Sequence, residues 1–324
     1  MYSKIILVAV LVLLVSTLPV ITVAAPPQAV PLPDPARGPA IDPQKGYLVQ
    51  EVRGGLYWLT DGSYQMMFLT TGQGVIIVDA PPSLGQKILL AVGEVTKEPI
   101  THVVYSHHHA DHIGAANLYP SNATIVAQEE TAAQLARDKD PNRPLPTVTF
   151  KDSYTLKVGN QVLELSYKGP NHSRGNIFIY APAQKTLMLV DVIFPGWVPF
   201  MNLALAEDIP GFFAAHDQVL AYDFDTFIGG HLTRLGTRQD VEIQKQYVSD
   251  VKANAMSALQ QVNFMDVAKK TGFENQWLLF DTYFNNVAQT CADKTVPNWV
   301  NRLGGADVWT FGHCLRAAES ARID

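Results

Sequence analysis

Six consecutive residues, His107-His108-His109-Ala110-Asp111-His112, gather four imidazoles and a carboxylate into one short stretch of chain. The apolar run His102-Val103-Val104-Tyr105 precedes them and reads as a strand. Side chains two apart in an extended chain project to the same side, so His107 and His109 form a chelating pair. Asp111 and His112 open the next helix, whose turn aims them at a second position beside the first. One segment can thereby serve two metals. Imidazole and carboxylate are borderline nitrogen and oxygen donors that suit Zn(II), with Fe or Mn as alternatives. His108 lies between two ligands and faces the other way, which gives it a role in packing or in supporting the ligands rather than in ligation. His102, His216 and His313 fall in no such pattern and read as structural histidines.

Such a run needs elements that hold it. From about Gly46, short apolar runs alternate with turn signals, at 56–59, 65–69 and 74–79, with Asp61-Gly62 as one turn, and predict a β-meander. A helical pattern over 84–95 leads to the strand before the histidines, and a further helix is predicted from near Ile113. The second half repeats the idiom, with strands at 147–150, 154–158, 161–167, 177–181, 186–190 and 226–228. Strands in two halves with interleaved helices predict sheets packed face to face with helices outside. Beyond Arg238 the spacing of Val248, Val251, Ala255 and Leu259 predicts a helical extension over 238–324.

The histidine run resembles the signature of the metallo-β-lactamase-fold superfamily, and further motifs follow in that family's order. Asp79 ends the strand Val75-Ile76-Ile77-Val78, His172 lies in Gly169-Pro170-Asn171-His172-Ser173-Arg174-Gly175-Asn176, Asp191 ends Leu187-Met188-Leu189-Val190, and His231 follows Gly229-Gly230. The resemblance covers roughly residues 46–236. It implies a four-layer αβ/βα sandwich (α+β/α/β) over 46–237. It also implies a dinuclear site in which His107, His109 and His172 hold one metal, Asp111, His112 and His231 hold the other, and Asp191 bridges. Asp79 then supports the ligand loop. The cofactors expected are two Zn(II), and the chemistry is hydrolysis, with Asp111 orienting the nucleophile and carrying its proton.

Asp191 stands where zinc β-lactamases of the best-known type carry cysteine, whereas lactonases and thioester hydrolases of the superfamily use a bridging aspartate. Phe194 stands where one group of lactonases places tyrosine. The substrate expected is a lactone, ester or amide with an apolar body, lactone first. A β-lactamase-like or thioester hydrolase is the alternative, and an iron-dependent oxidoreductase on the same fold is the rival of another class. Tyr64, Met66, Phe194, Trp197 and Phe200 are equally candidates for an apolar pocket and for core.

Composition sets the remaining bounds. With 324 residues, 47% of them hydrophobic, the chain can bury a large core. A net charge of −6 without a cluster of basic residues argues against nucleic acid and for a small-molecule substrate. Lys4, the apolar stretch 5–18 and Val23-Ala24-Ala25 read as a signal peptide over 1–25, with an uncleaved membrane anchor as the alternative. The protein is then exported, periplasmic or secreted, without stable membrane insertion after cleavage. The proline-dense stretch 26–45 reads as a spacer. Cys291 and Cys314 read as one disulfide, with two buried thiols as the alternative. The helical extension could cap the pocket, form a homodimer surface, or only pack.

Overall fold

The computed structural model describes residues 30–324, so the signal peptide expected over 1–25 lies outside the described residues. Two sheets face each other. In the first, β1 (Leu48–Arg53) adds an antiparallel edge to β2 (Leu56–Thr60), and β2, β3 (Gln65–Thr70) and β4 (Val75–Val78) run antiparallel as the predicted meander. The order then continues in parallel through β5 (Ile100–Val104), β6 (Thr124–Gln128) and β7 (Val148–Phe150). The second sheet has the order β12-β11-β10-β9-β8, from strands β8 (Ser153–Val158), β9 (Gln161–Ser166), β10 (Phe178–Ala181), β11 (Thr186–Met188) and β12 (Thr226–Ile228). Its one parallel pair, β11 with β12, carries Asp191 and His231 on neighbouring exits.

Alternation along the strands separates the cores. Leu56, Trp58, Met67 and Leu69 face Leu163, Leu165, Ile179 and Met188 between the sheets. Leu59, Met66, Phe68 and Ile77 point the other way, under α1 (Lys87–Val95), α2 (Ala110–Ile113) and α3 (Glu129–Asp138). The outer face of the second sheet, with Phe178, Leu187 and Phe227, lies under α5 (Ile209–Leu220), α6 (Arg238–Gln261), α7 (Phe264–Thr271), α8 (Gln276–Trp299) and α9 (Ala306–Ile323). The result is the expected four-layer αβ/βα sandwich with a helical C-terminal region. That region shares one core with the second sheet, and Cys291 and Cys314 join α8 to α9 as a disulfide.

Several expectations differ from the structure. The polar edge strand β1 and the short strand β6 were not legible as strands, nor was α3 as a helix. The helix expected from near Ile113 is instead the single turn α2, which ends there. Residues 33–37 are not a free spacer: Ala36 is buried, its carbonyl accepts from Trp197 Nε1 (2.9 Å) and Thr233 Oγ1 (2.7 Å), and the Pro35 carbonyl accepts from Arg234 Nε (2.7 Å).

One short element is unusual. In α4 (Met201–Ala204) and the residue after it, Asn202, Leu203, Ala204 and Leu205 have φ of 54°, 57°, 57° and 53°. Four left-handed residues, none of them glycine, cost on the order of 4–8 kcal/mol.

Candidate metal centre

The site lies on the seam where the two sheets leave their strands. Asp79 ends β4 with φ 66° and Asp191 follows β11 with φ 63°, a left-handed conformation that aspartate tolerates better than most residues. That turn brings Asp79 back under the histidine loop, where Oδ1 accepts from the Ser106 N–H at 2.8 Å. Its own carbonyl accepts from Tyr119 OH at 2.6 Å. From Ser106 the chain runs extended through His107 and His109 into α2, whose first turn carries Asp111 and His112. The His112 carbonyl accepts from Ala80 N–H at 2.7 Å, which ties the turn to the end of β4.

The second sheet supplies the other donors. His172 leaves the loop after β9, where Asn176 Nδ2 bridges Asn171 Oδ1 and the Val190 carbonyl, both at 2.9 Å. His231 follows Gly229-Gly230, and both glycines are required. A Cβ on Gly229 would sit 2.3 Å from the Ile193 carbonyl oxygen, and one on Gly230 would sit 2.6 Å from Val190 Cγ1, at φ 85°. The Gln65 amide faces the carbonyls of His231, Leu232 and Arg234 at 2.8, 3.0 and 3.0 Å and fixes that loop.

The structure brings the seven expected ligands together in two groups. His107, His109, His172 and Asp191 form one, Asp111, His112 and His231 the other, and within each group the donor atoms lie within 4.8 Å of one another. Asp191 Oδ2 lies 3.1 Å from the Nε2 atoms of both His112 and His172, and Asp191 Oδ1 lies 2.9 Å from His231 Nε2. Read as ion pairs, these contacts would crowd three protonated imidazoles onto one carboxylate. Read as donors, they converge on shared points between nitrogens, since His112 Nε2 and His231 Nε2 are 3.0 Å apart, as are His172 Nε2 and His109 Nδ1.

Electrostatics favours the donor reading. His107 is held well below its ordinary range by burial and then by His109, His112 and His172, and its buried Nε2 has no hydrogen-bond partner. Burial and the neighbouring His172 and His108 bring His109 down to about 3. Both therefore offer lone pairs at neutral pH. Burial lowers His112 as well, but Asp191, Asp111 and Asp79 outweigh it and raise it to about 9. Burial pushes Asp191 up, yet His112, His172 and His231 hold its carboxyl well below the usual carboxylate range. Neutral His107 and His109 beside the ionised, buried Asp191 fit divalent cations bound as the resemblance implies, and a cation taking the place of the proton that Asp191 and Asp111 favour on His112 would be held by the same carboxylates. Asp79, pushed up to about 6 by burial against the pull of His112 and the Ser106 N–H, stays outside the donor set.

Above the ligands opens a cavity of about 460 Å³, whose walls include Tyr64, Phe194, Trp197, Phe200, Leu205, Leu232 and Trp309. Among the described residues, no lysine or arginine lines it. Tyr64, Phe194, Trp197 and Phe200 thus take the pocket side of their two readings. Met66 does not: its position on β3 turns it into the core beneath α1, fully buried. Tyr64 OH donates to Asp111 Oδ2 at 3.4 Å, and burial followed by Asp111 raises the phenol to about 12, so it stays protonated. Phe194 lies flat against His231 with ring centroids 6.0 Å apart.

Of the remaining histidines, His108 is buried outside both donor groups, and its carbonyl accepts from Arg143 Nη1 at 2.6 Å. His216 and His313 are fully buried and hydrogen-bonded, and His102 sits beside Thr101 Oγ1 at 3.0 Å. Sequence reading missed Gln65, Arg143, Leu205 and Trp309. Gln65 had a signal, a polar residue in an otherwise apolar strand; Trp309 had none, because it reaches the cavity from α9.

Comparison with known proteins agrees with the geometry. A family model described as the metallo-beta-lactamase superfamily matches residues 59–231. The chain is 28% identical over 242 residues to the 2,4-dinitroanisole O-demethylase subunit alpha of Nocardioides sp. (strain JS1661), a match spanning 72% of this chain and 73% of that protein. It is 27% identical over 123 residues to a metallo-beta-lactamase type 2 of Bacillus cereus, 37% of this chain and 47% of that protein. Among solved structures, a metallo-beta-lactamase from Pontibacter korlensis superposes with a TM-score of 0.54 at 20% identity, covering 62% of this chain and 97% of that one.

Proposed function

The chain belongs to the metallo-beta-lactamase superfamily, and we propose that it is an exported dinuclear zinc hydrolase that opens a lactone or cleaves an ester or amide of a small, largely apolar substrate. The observation that carries this reading is the pairing of seven converging donors with a cavity walled by aromatic and aliphatic side chains. When bound, two divalent cations supply hydroxide near neutral pH and withdraw charge from a carbonyl oxygen. His107, His109 and His172 would hold one, Asp111, His112 and His231 the other, with Asp191 between them.

The chain's own residues do the rest. Asp111, its side chain 45% exposed and at the cavity floor, accepts the proton of the attacking water and returns it to the leaving oxygen. Tyr64 OH holds the Asp111 carboxylate in place and remains a donor throughout. Phe194, Trp197, Phe200 and Trp309 bind the apolar body of the substrate and displace water from it. With no cation on the wall, an anionic substrate gains nothing there, which favours neutral esters and lactones. Among the described residues no helix is long and apolar enough to cross a membrane. The disulfide between Cys291 and Cys314 fits an oxidising compartment.

A second reading comes from the relative that matches 72% of the chain and whose name is an O-demethylase. An aromatic-walled cavity suits an activated aryl methyl ether, and hydrolysis would place water oxygen on the ring carbon and release methanol. The test is a panel of acyl lactones, aryl esters, β-lactams, thioesters and nitroaryl ethers on the purified protein, with metal content measured alongside. Turnover of lactones or esters with zinc bound supports the first reading, and turnover of nitroaryl ethers alone supports the second. Efficient cleavage confined to β-lactams or thioesters overturns both, and bound iron with oxygen consumption points to the redox chemistry of the same fold.

A further inference from the structure

The left-handed turn of α4 is regular. Its ψ values are 45° at Asn202, 53° at Leu203 and 29° at Leu205. Ala204 N–H donates to the Phe200 carbonyl at 2.8 Å and Leu205 N–H to the Met201 carbonyl at 3.0 Å. This is one turn of left-handed α-helix. Strain of this kind persists only where the surroundings over-determine it, and it concentrates at functional sites.

The surroundings are specific. Leu203 and Ala204 are buried in the core beneath the C-terminal helices. α9 passes close by at Gly312, where a Cβ would lie 2.6 Å from Asn202 Oδ1. The next residue, His313, donates its Nε2–H to the Phe200 carbonyl at 3.0 Å and accepts from Tyr247 OH at 2.7 Å. The Phe200 carbonyl is thus held from outside while it accepts the first bond of the turn. Past the turn, Glu207 N–H donates to the His172 carbonyl at 2.9 Å and Asp208 N–H to the Asn171 carbonyl at 3.2 Å.

The left hand aims one group at the metal centre. The Ala204 carbonyl accepts from His172 Nδ1–H at 2.8 Å. A proton on Nδ1 leaves Nε2 as the lone pair that faces His109 and Asp191. A turn of the opposite hand would carry that carbonyl off the imidazole. We infer that α4 is a positioning element: its left-handed turn, braced by His313 where Gly312 lets α9 approach, makes the Ala204 carbonyl fix His172 with Nε2 presented to metal. The inference rests on reading His172 as a ligand. It also means that Phe200 and Leu205, which wall the cavity, share one strained turn with a ligand's anchor.

Two substitutions at half-exposed Leu205 separate backbone from side chain. Leu205→Gly accepts φ 53° freely, whereas Leu205→Pro fixes φ near −65° and removes the bond to Met201. Zinc affinity is measured by chelator competition, and the fold of each metal-free variant by circular dichroism and melting. Leu205→Pro is expected to weaken the zinc held by His107, His109 and His172 by about 10- to 100-fold, with Leu205→Gly within about threefold of wild type. A folded Leu205→Pro protein with wild-type zinc affinity overturns the inference, as does an equal loss in Leu205→Gly. Long-range 1H–15N NMR on the wild-type protein is the independent arm should Leu205→Pro not fold. A hydrogen-bonded, slowly exchanging Nδ1 proton on His172 supports the inference, and an Nε2-protonated ring overturns it. Wild-type protein that takes up no metal sinks the ligand reading instead, and the His172 tautomer remains readable in that case.

Discussion

Acid should unfold this protein through two histidines that touch no metal ligand. His216 donates Nδ1–H to the Phe212 carbonyl at 3.0 Å and accepts from Gln244 Nε2 at 2.9 Å. His313 sits between Tyr247 OH and the Phe200 carbonyl. Both are fully buried, and burial, against the pull of backbone carbonyls, holds each at about 4. In the unfolded chain a histidine takes its proton near 6.5. Between those values the unfolded state binds more protons, so the stability from burying neutral rings is complete above about pH 6.5 and declines as pH falls toward 4. From pH 7 to pH 5 each ring costs about 2 kcal/mol, about 4 kcal/mol together, which lowers Tm by roughly 6 °C for a chain this size. Melting curves at pH 7 and pH 5, in one metal state, compare wild type with the His216→Gln/His313→Gln double variant. The variant melts lower at pH 7 but loses less on acidification, by roughly that margin. Parallel losses in the two proteins would refute the assignment.

Other consequences are as direct. Replacing Cys291 and Cys314 with serine removes a cross-link spanning 23 residues and should cost about 3 kcal/mol, read as a Tm drop that reductant reproduces in wild type. Gln65→Leu strips partners from three carbonyls of the His231 loop; about 2–3 kcal/mol and a 10- to 100-fold loss of metal affinity are expected by melting and chelator titration. Asp111→Asn should loosen the metal that Asp111, His112 and His231 would hold and, with zinc restored in excess, still lower kcat by about 100-fold or more; an unchanged kcat at full metal loading would remove Asp111 from proton transfer. Trp309→Ala opens the cavity wall and should cut kcat/KM about tenfold for substrates with long acyl chains while sparing acetyl esters.

The metal run was legible because its chemistry is local. His107, His109, Asp111 and His112 lie in six residues, and two-residue spacing after a strand sets their direction without knowledge of the fold. Asp79, His172, Asp191 and His231 were legible through the resemblance, as motifs that follow the histidine run in the family's order. What stayed hidden depends on contacts distant in sequence. Nothing local marks Trp309, which lies more than a hundred residues from the other aromatic walls, or Arg143, which grips the His108 carbonyl from the loop after α3. Residues 33–37 carried the composition of a linker, yet Trp197, Thr233 and Arg234 bind their carbonyls. Met66 takes the core side of its two readings, because an apolar residue on β3 serves either face and only the register of the sheet decides. The hand of α4 was hidden too, since Asn202 alone in that turn is a residue type that tolerates it.

The ligands come from both sheets: His107, His109, Asp111 and His112 from the loop after β5, His172, Asp191 and His231 from the exits of β9, β11 and β12. Bound cations would therefore rivet the two halves of the sandwich, and any sliding of one sheet over the other would change the spacing on which the chemistry depends. A mutation that drifts into this seam is judged twice, for cohesion and for catalysis. The cavity walls on the far side of the ligands escape that double judgement, and there the sequence is free to try new substrates.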